Sequence, residues 1–213
     1  MYIPSSVIMG KITPWHTMFD MIQFRILLSL FILFSWFCQG YAQQTDIREF
    51  TANNVANGEN ISLLSYKDQK AVVLLFISNV CPYAQYYQGR IESMVETYEQ
   101  RGIAFLLVNS HMDNDESPSS MKSMWNNWNT HIPYLADKTQ ELQRMFDIQK
   151  SPTAIILKPL GEGFSIYYSG KIDNNPMVES DVKEAYLEDN LVSLLADKPP
   201  AHANNRSIGC MIR

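Results

Sequence analysis

Two uninterrupted apolar runs with an amphipathic stretch between them dominate the middle of the chain. The first, residues 71–78, is rich in branched side chains, and the second is residues 103–108. Such runs are typical of strands that are buried on both faces of a sheet. Between them, apolar residues recur at the spacing of one helix face over 82–100, where Pro82 suits a first helical position and Gly102 a stop. Strand, helix and strand in this order predict a right-handed parallel unit.

The second half of the chain predicts a polar loop, further helices and an antiparallel pair of strands. Residues 121–128 and 138–146 have helical spacing, and residues 178–196 predict a closing helix. Two short apolar segments, 154–157 and 164–168, are separated by a proline and two glycines and predict a hairpin. Parallel strands followed by an antiparallel pair favour an α/β domain, with a central mixed sheet and helices on both faces.

The N-terminal region carries a twelve-residue apolar run, residues 26–37, which follows an arginine and precedes small residues that end at Ala42. This pattern is typical of a secretory signal peptide that is cleaved after Ala42. The run is shorter than the ~20 residues of a membrane-spanning helix, although a retained N-terminal anchor is an alternative. We therefore expect 1–42 to be a signal peptide, 43–198 a folded domain and 199–213 a C-terminal tail. The protein is expected in the periplasm or outside the cell, with no stable membrane span after cleavage.

Charge and composition exclude several classes of partner. The net charge is -5 and the isoelectric point is about 5.3, so no basic surface is available for the phosphates of a nucleic acid. The sequence has no phosphate-binding loop or dinucleotide fingerprint, and its histidines form no metal-ligand pattern with the cysteines. We expect neither a cofactor nor a metal. The acidic residues Asp113, Asp115 and Glu116 predict a solvated loop.

Cysteine is scarce, and each one is therefore informative. Cys38 would leave with the signal peptide, so Cys81 and Cys210 would remain in an oxidising compartment. Cys81 lies where the first buried strand meets the helix that begins at Pro82. Unpaired amides and the helix dipole favour an anion there, so we expect its thiol pKa to fall below about 8.5 and the thiolate to act as a nucleophile. A buried structural cysteine is the alternative.

Several segments around this cysteine resemble one family. Residues 76–84 resemble the active-site turn of thioredoxin-like proteins, with Cys81 at the first position of their Cys-x-x-Cys pair. Residues 151–153 resemble their cis-proline loop, while 168–173 and 207–210 resemble late segments of the redoxin branch, the alkyl hydroperoxide reductase and thiol-specific antioxidant (AhpC/TSA) type. The resemblance implies a thioredoxin-like fold and a catalytic Cys81. It also implies a substrate groove lined by Pro82, Tyr83, Ser151 and Pro152.

The sequence also departs from the family pattern. Ala84 stands where the second cysteine would be, which removes a local dithiol. Peroxiredoxins carry Pro-x-x-x-Thr-x-x-Cys, and Leu74, Ser78 and Cys81 hold the matching positions, so Ser78 keeps a hydroxyl while the proline is missing. Three functions follow: a thiol oxidoreductase that performs thiol–disulfide exchange, a peroxiredoxin-like peroxidase acting on hydroperoxides, or a redox-inactive binding module.

Cys210 is the remaining candidate for a resolving thiol. A flexible tail would allow it to reach Cys81, whereas a pinned tail would make it a buried structural thiol or a link between two copies. The expected partners are protein or small-molecule thiols, disulfides or hydroperoxides, together with an external thiol reductant if no thiol in the chain resolves Cys81.

Overall fold

The computed structural model describes residues 46–213 except for Arg48 and Asn129, so the predicted signal peptide lies outside the described residues. The strands are β1 (Asp46–Ile47), β2 (Thr51–Asn54), β3 (Asn60–Ser62), β4 (Ala71–Phe76), β5 (Ile103–Asn109), β6 (Tyr134–Ala136), β7 (Lys150–Ser151), β8 (Thr153–Leu160), β9 (Gly163–Gly170) and β10 (Cys210–Met211). The helices are α1 (Pro82–Tyr86), α2 (Gln88–Glu99), α3 (Pro118–Asn127), α4 (Glu141–Met145) and α5 (Tyr186–Leu195). Within the described part of the chain, no helix is long and apolar enough to cross a membrane.

Strand β4 lies in the middle of an eight-stranded mixed sheet with the order β1-β9-β8-β4-β5-β6-β2-β3. It pairs in parallel with β5 and antiparallel with β8, and all six of its residues are buried. The unbroken apolar run predicted such a strand because both of its faces meet other layers. The mixed sheet and the antiparallel β8–β9 hairpin are therefore confirmed.

Helices cover both faces of the sheet, as predicted, because successive side chains of a strand point to opposite sides. Val73 and Leu75 belong to a core cluster that also contains buried residues of α2 and α5. Leu74 and Phe76 belong to a second cluster, on the other face, with Leu142 of α4. The C-terminal end of β4 is therefore packed on both faces of the sheet just before the loop that leads to α1.

The long helix predicted over 82–100 is interrupted at Tyr87. The amide of Tyr87 bonds to the carbonyl of Ala84, three residues earlier, which tightens the turn between α1 and α2. Its hydroxyl donates to the buried carboxylate of Asp173, 2.7 Å away, which fixes the ring at this junction. The apolar positions keep their helical spacing across Tyr87, although the chain forms two helices there instead of one.

The predicted closing helix starts eight residues later than expected, at Tyr186. The side-chain oxygen of Asn175 accepts hydrogen bonds from the amides of Met177 and Val178, and that of Asn174 accepts from the amides of residues 183 and 184. Asparagine side chains that bind nearby backbone amides compete with helix formation. The prediction for 138–146 was similarly too long, since only α4 is helical, and α3 begins three residues before the predicted 121.

The C-terminal tail is not a loose segment. It has no helix, as expected, but the Asn205 amide donates to the carbonyl of Ser169 in β9, and its side-chain oxygen accepts from the amide of Lys171 just after β9. In addition, β10 forms a second, two-stranded sheet with β7. Beyond β10, the amide of Ile212 donates to the carbonyl of Gln149, and the carbonyl of Arg213 accepts from the amide of Met112. The tail is therefore tied to the domain on both sides of Cys210.

Candidate active site

Cys81 is the residue that precedes α1, at the end of the loop leaving the central strand β4. Its side chain is buried, and Ala84, at the position of the missing second cysteine, is buried one turn later. The amide of Cys81 donates to the hydroxyl oxygen of Ser78, 3.0 Å away. This bond closes the loop after β4 and fixes the cysteine at the carboxyl end of a central strand, where α/β proteins commonly place their chemistry.

Cys81 forms a disulfide bond with Cys210. The two Cα atoms are 6.0 Å apart, although the residues are separated by 129 positions in the sequence. The sequence left open whether Cys210 bonds to Cys81, is a buried structural thiol or links two copies. The structure shows the bond to Cys81 within one chain. Cys210 is only partly buried whereas Cys81 is almost fully buried, so Cys210 is the more accessible residue of the bridge.

The loop before β8 lies directly against this bridge. The peptide bond between Ser151 and Pro152 is cis, as the resemblance implied, and the carbonyl oxygen of Ser151 is 3.5 Å from the Cys81 sulfur. Ser151 and Pro152 are buried, whereas Pro82 is exposed and Tyr83 is partly buried in α1. Of the four residues predicted to line a groove, Pro82 and Tyr83 follow Cys81 directly in the sequence, and Ser151 and Pro152 belong to the loop beside the bridge. Among these four, only Ser151 is shown in contact with the Cys81 sulfur.

The chain's own tail occupies the edge of this loop. Cys210 lies opposite Ser151 and Met211 opposite Lys150 in an antiparallel pairing. Addition of an extended segment to the edge of a backbone is a recurring mode of peptide recognition, and β10 shows this mode within one molecule.

A buried carboxylate supports the loop that carries Cys81. Asp113 and Asp115 are exposed, as predicted for a solvated loop, but Glu116 has no exposed surface, which contradicts the prediction at this residue. It accepts hydrogen bonds from the amide of Asn79 at 2.9 Å, the amide of Val80 at 3.3 Å and the hydroxyl of Ser78. The polar 3₁₀ turn at 114–116 folds inward because these donors face it and give the buried carboxylate its hydrogen-bond partners.

A second set of polar groups connects this carboxylate to the loop at Ser151. The side-chain nitrogen of Asn109 donates to Glu116 at 2.7 Å, while its oxygen accepts from the amide of His111 and from the Lys138 ammonium. The His111 ring lies 2.8 Å from the Ser151 hydroxyl. Asn109 therefore connects Glu116, which supports the loop before Cys81, with His111, which contacts Ser151 on the other side of the disulfide.

Burial governs the protonation of the two basic groups in this network. It lowers the pKa of His111, against the opposing pull of the Glu116 and Asp113 carboxylates, so the ring is neutral at pH 7. It also lowers the pKa of Lys138 to about 8, even though Glu116 and Asp137 favour its charged form. Sequence reasoning missed Glu116, Asn109, His111 and Lys138, because no local pattern records contacts across 27 to 40 residues.

The described residues contain no group of three or more His, Cys, Asp or Glu side chains placed to hold a metal ion. The buried carboxylate of Glu116 is instead satisfied by hydrogen-bond donors of the protein.

Comparison with known proteins gives a family and a fold. Residues 44–172 match the model of the AhpC/TSA family. An uncharacterized conserved protein from Geobacillus kaustophilus is 26% identical, with a TM-score of 0.72 over 82% of this chain and 93% of that chain. A hypothetical protein from Sinorhizobium meliloti 1021 is 22% identical, with a TM-score of 0.71 over 82% of this chain and 95% of that chain.

A third solved structure is described as a thiol:disulfide interchange protein, thioredoxin family protein, from Chlorobium tepidum TLS. It is 21% identical, with a TM-score of 0.50 over 59% of this chain and 85% of that chain. This likeness confirms the thioredoxin-like fold. No curated protein matches the sequence.

Proposed function

The chain belongs to the AhpC/TSA family, and from that premise we propose that it is an exported thiol–disulfide oxidoreductase with Cys81 as nucleophile and Cys210 as resolving thiol. The observation that carries the proposal is the Cys81–Cys210 bridge beside the Ser151–Pro152 loop. The bridge supplies the second sulfur that Ala84 does not, and its Cys210 side is open to an external thiol.

The proposed cycle starts from the reduced protein. The Cys81 thiolate attacks one sulfur of a substrate disulfide, a bond forms between Cys81 and that sulfur, and the other substrate sulfur leaves as a thiolate. Cys210 then loses its proton and attacks the Cys81 sulfur, which releases the second substrate thiolate and forms the Cys81–Cys210 bridge. The substrate gains two electrons from the protein. Of the two protons that its thiolates take up, one comes from Cys210 and the other from water, which received the Cys81 proton when that thiolate formed. Two equivalents of an external thiol reductant restore the reduced protein and are oxidised to a disulfide.

Replacing Cys210 by serine tests the roles proposed for the two thiols. The reduced C210S protein should form a mixed disulfide with oxidised glutathione at Cys81 and should hold it, because no thiol of the folded domain then remains to attack it. Wild-type protein should pass through the same adduct and return to the internal bridge. Intact-mass measurement and peptide mapping of quenched samples distinguish the two results. Rapid loss of the adduct from C210S would contradict the assignment of Cys210 as resolving thiol.

The same preparation separates the alternative functions. Rapid reduction of hydrogen peroxide, with little reaction toward a peptide disulfide, would favour the peroxidase. Failure to react with either would favour the redox-inactive binding module. We place the peroxidase second because the Ser78 hydroxyl donates its hydrogen to Glu116, so that hydrogen is not directed at the Cys81 sulfur or at a peroxide beside it.

Export is the second part of the proposal. The protein isolated from its native host should begin at Gln43, as determined by N-terminal sequencing, because a signal peptidase cleaves after the small residues that end at Ala42. A mature chain that still contains residues 26–37 would show instead that this run is a membrane anchor.

A further inference from the structure

Gly209, the residue immediately before Cys210, approaches the loop at Ser151 more closely than any residue with a side chain can. A Cβ atom at this position would lie 2.0 Å from the Ser151 carbonyl oxygen, 2.7 Å from its carbonyl carbon and 3.0 Å from Cδ of Pro152. The first two of these atoms belong to the backbone, so they cannot turn aside as the end of a long side chain would. Glycine is the residue that allows such close approach.

The backbone that Gly209 meets is firmly held. The Ser151 hydroxyl bonds to the buried His111 ring, and the Thr153 hydroxyl donates to the carbonyl of Lys150 at 2.6 Å. Ser151 has no exposed surface. A larger residue before the cysteine would therefore have to move away from the edge, at the cost of the antiparallel pairing.

The type of residue is less restricted at the positions around Gly209. Ile208 and Met211 are half exposed, and the pairing of β10 with β7 is made by backbone groups that any residue other than proline supplies. The contacts therefore restrict the type of residue at one position, the one that precedes the cysteine. We call residues 149–152, which Cys210, Met211 and Ile212 face, the docking edge.

We propose that the docking edge selects extended polypeptide substrates whose disulfide-bonded cysteine follows a glycine, and that the chain's own Gly209–Cys210 segment is its resident occupant in the oxidised protein. The inference rests on the thiol–disulfide exchange proposed above and names its substrate class. A partner's Gly-Cys segment and the tail use the same backbone groups, so only one of them is bound at a time.

The resolving step is then also an exchange of strands. When the Cys81 thiolate attacks the substrate cysteine, the substrate segment lies on the docking edge and its former sulfur partner leaves as a thiolate. When Cys210 attacks the Cys81 sulfur, the bond to the substrate breaks and the substrate thiolate takes up the proton that Cys210 lost. The tail returns to the edge as the substrate segment leaves.

Two matched peptides test the inference. Each is joined through its cysteine to thionitrobenzoate, a coloured leaving thiol, and the sequences are Ser-Ile-Gly-Cys-Met-Ile and Ser-Ile-Val-Cys-Met-Ile. The reduced protein should release thionitrobenzoate from the glycine peptide about ten- to a hundredfold faster than from the valine peptide, the range expected for a relieved steric overlap. Dithiothreitol, which has no docking edge, is the control and should react with both peptides at similar rates.

The outcomes separate this inference from the proposed function. Equal rates of reaction of the protein with both peptides would overturn the selection for glycine and leave the exchange activity in place. Failure to react with either peptide would overturn both.

A pair of protein variants tests the same contact from the side of the tail. Gly209→Val should slow the return of the Cys81–Cys210 bridge after treatment of the reduced protein with oxidised glutathione, whereas Ile208→Val, at a half-exposed neighbouring position, should not. Closure of Gly209→Val at the wild-type rate would overturn the inference.

Discussion

Replacing Cys81 by serine is expected to abolish disulfide exchange completely. A serine hydroxyl does not ionise near neutral pH and forms no stable bond to sulfur, so neither the attack nor the mixed disulfide remains. Cys210 does not substitute for it, because Cys210 has no comparable position at the end of the central strand. The measurement is the release of thionitrobenzoate from a peptide disulfide by the reduced protein.

The control for this experiment is C210S, which should retain the first release of thionitrobenzoate although it does not complete the cycle. Labelling by a thiol reagent at acid pH gives a second readout and should be lost in C81S but kept in C210S. If C81S released thionitrobenzoate as fast as wild-type protein, Cys81 would not be the nucleophile.

Replacing Glu116 by alanine is expected to cost about 3–5 kcal/mol of the free energy of unfolding, because four buried or partly buried donors lose an acceptor at once. These donors are the amides of Asn79 and Val80, the Ser78 hydroxyl and the Asn109 side chain. Chemical denaturation of the oxidised protein, with the disulfide intact, measures the loss.

Asp115→Ala is the matched control for Glu116→Ala. Asp115 precedes Glu116 in the same 3₁₀ turn but its side chain is exposed, so we expect a change within about 0.5 kcal/mol. Glu116→Gln should fall between the two, since the amide keeps one acceptor oxygen and adds two hydrogens that face other donors. Equal stability of the alanine variants at 115 and 116 would contradict the supporting role of Glu116.

The features that the sequence predicts well are those with a continuous local pattern. Strands β4 and β5 are unbroken apolar runs, and the hairpin of β8 and β9 is marked by turn residues between two apolar segments. The cis bond before Pro152 followed from the resemblance, since a proline by itself indicates only that either isomer is accessible.

The features that it predicts poorly depend on partners that are distant along the chain. Glu116 is indistinguishable from its solvated neighbours until the loop 38 residues earlier is placed against it. The two-residue strand β10 is too short to show a period, and its position is set by its pairing with β7 and by the bond to Cys81. The late start of α5 similarly depends on two asparagines that lie before it and bind the intervening amides.

The separation of 129 positions between Cys81 and Cys210 has a consequence for the order of biosynthesis. Cys81 leaves the ribosome long before its partner exists, and the bridge cannot close until Cys210 has also been made. A chain that stops before Cys210 contains every residue of the central sheet but has no second sulfur. Formation of the bridge therefore reports that synthesis has proceeded through Cys210, whatever the state of the sheet that forms before it.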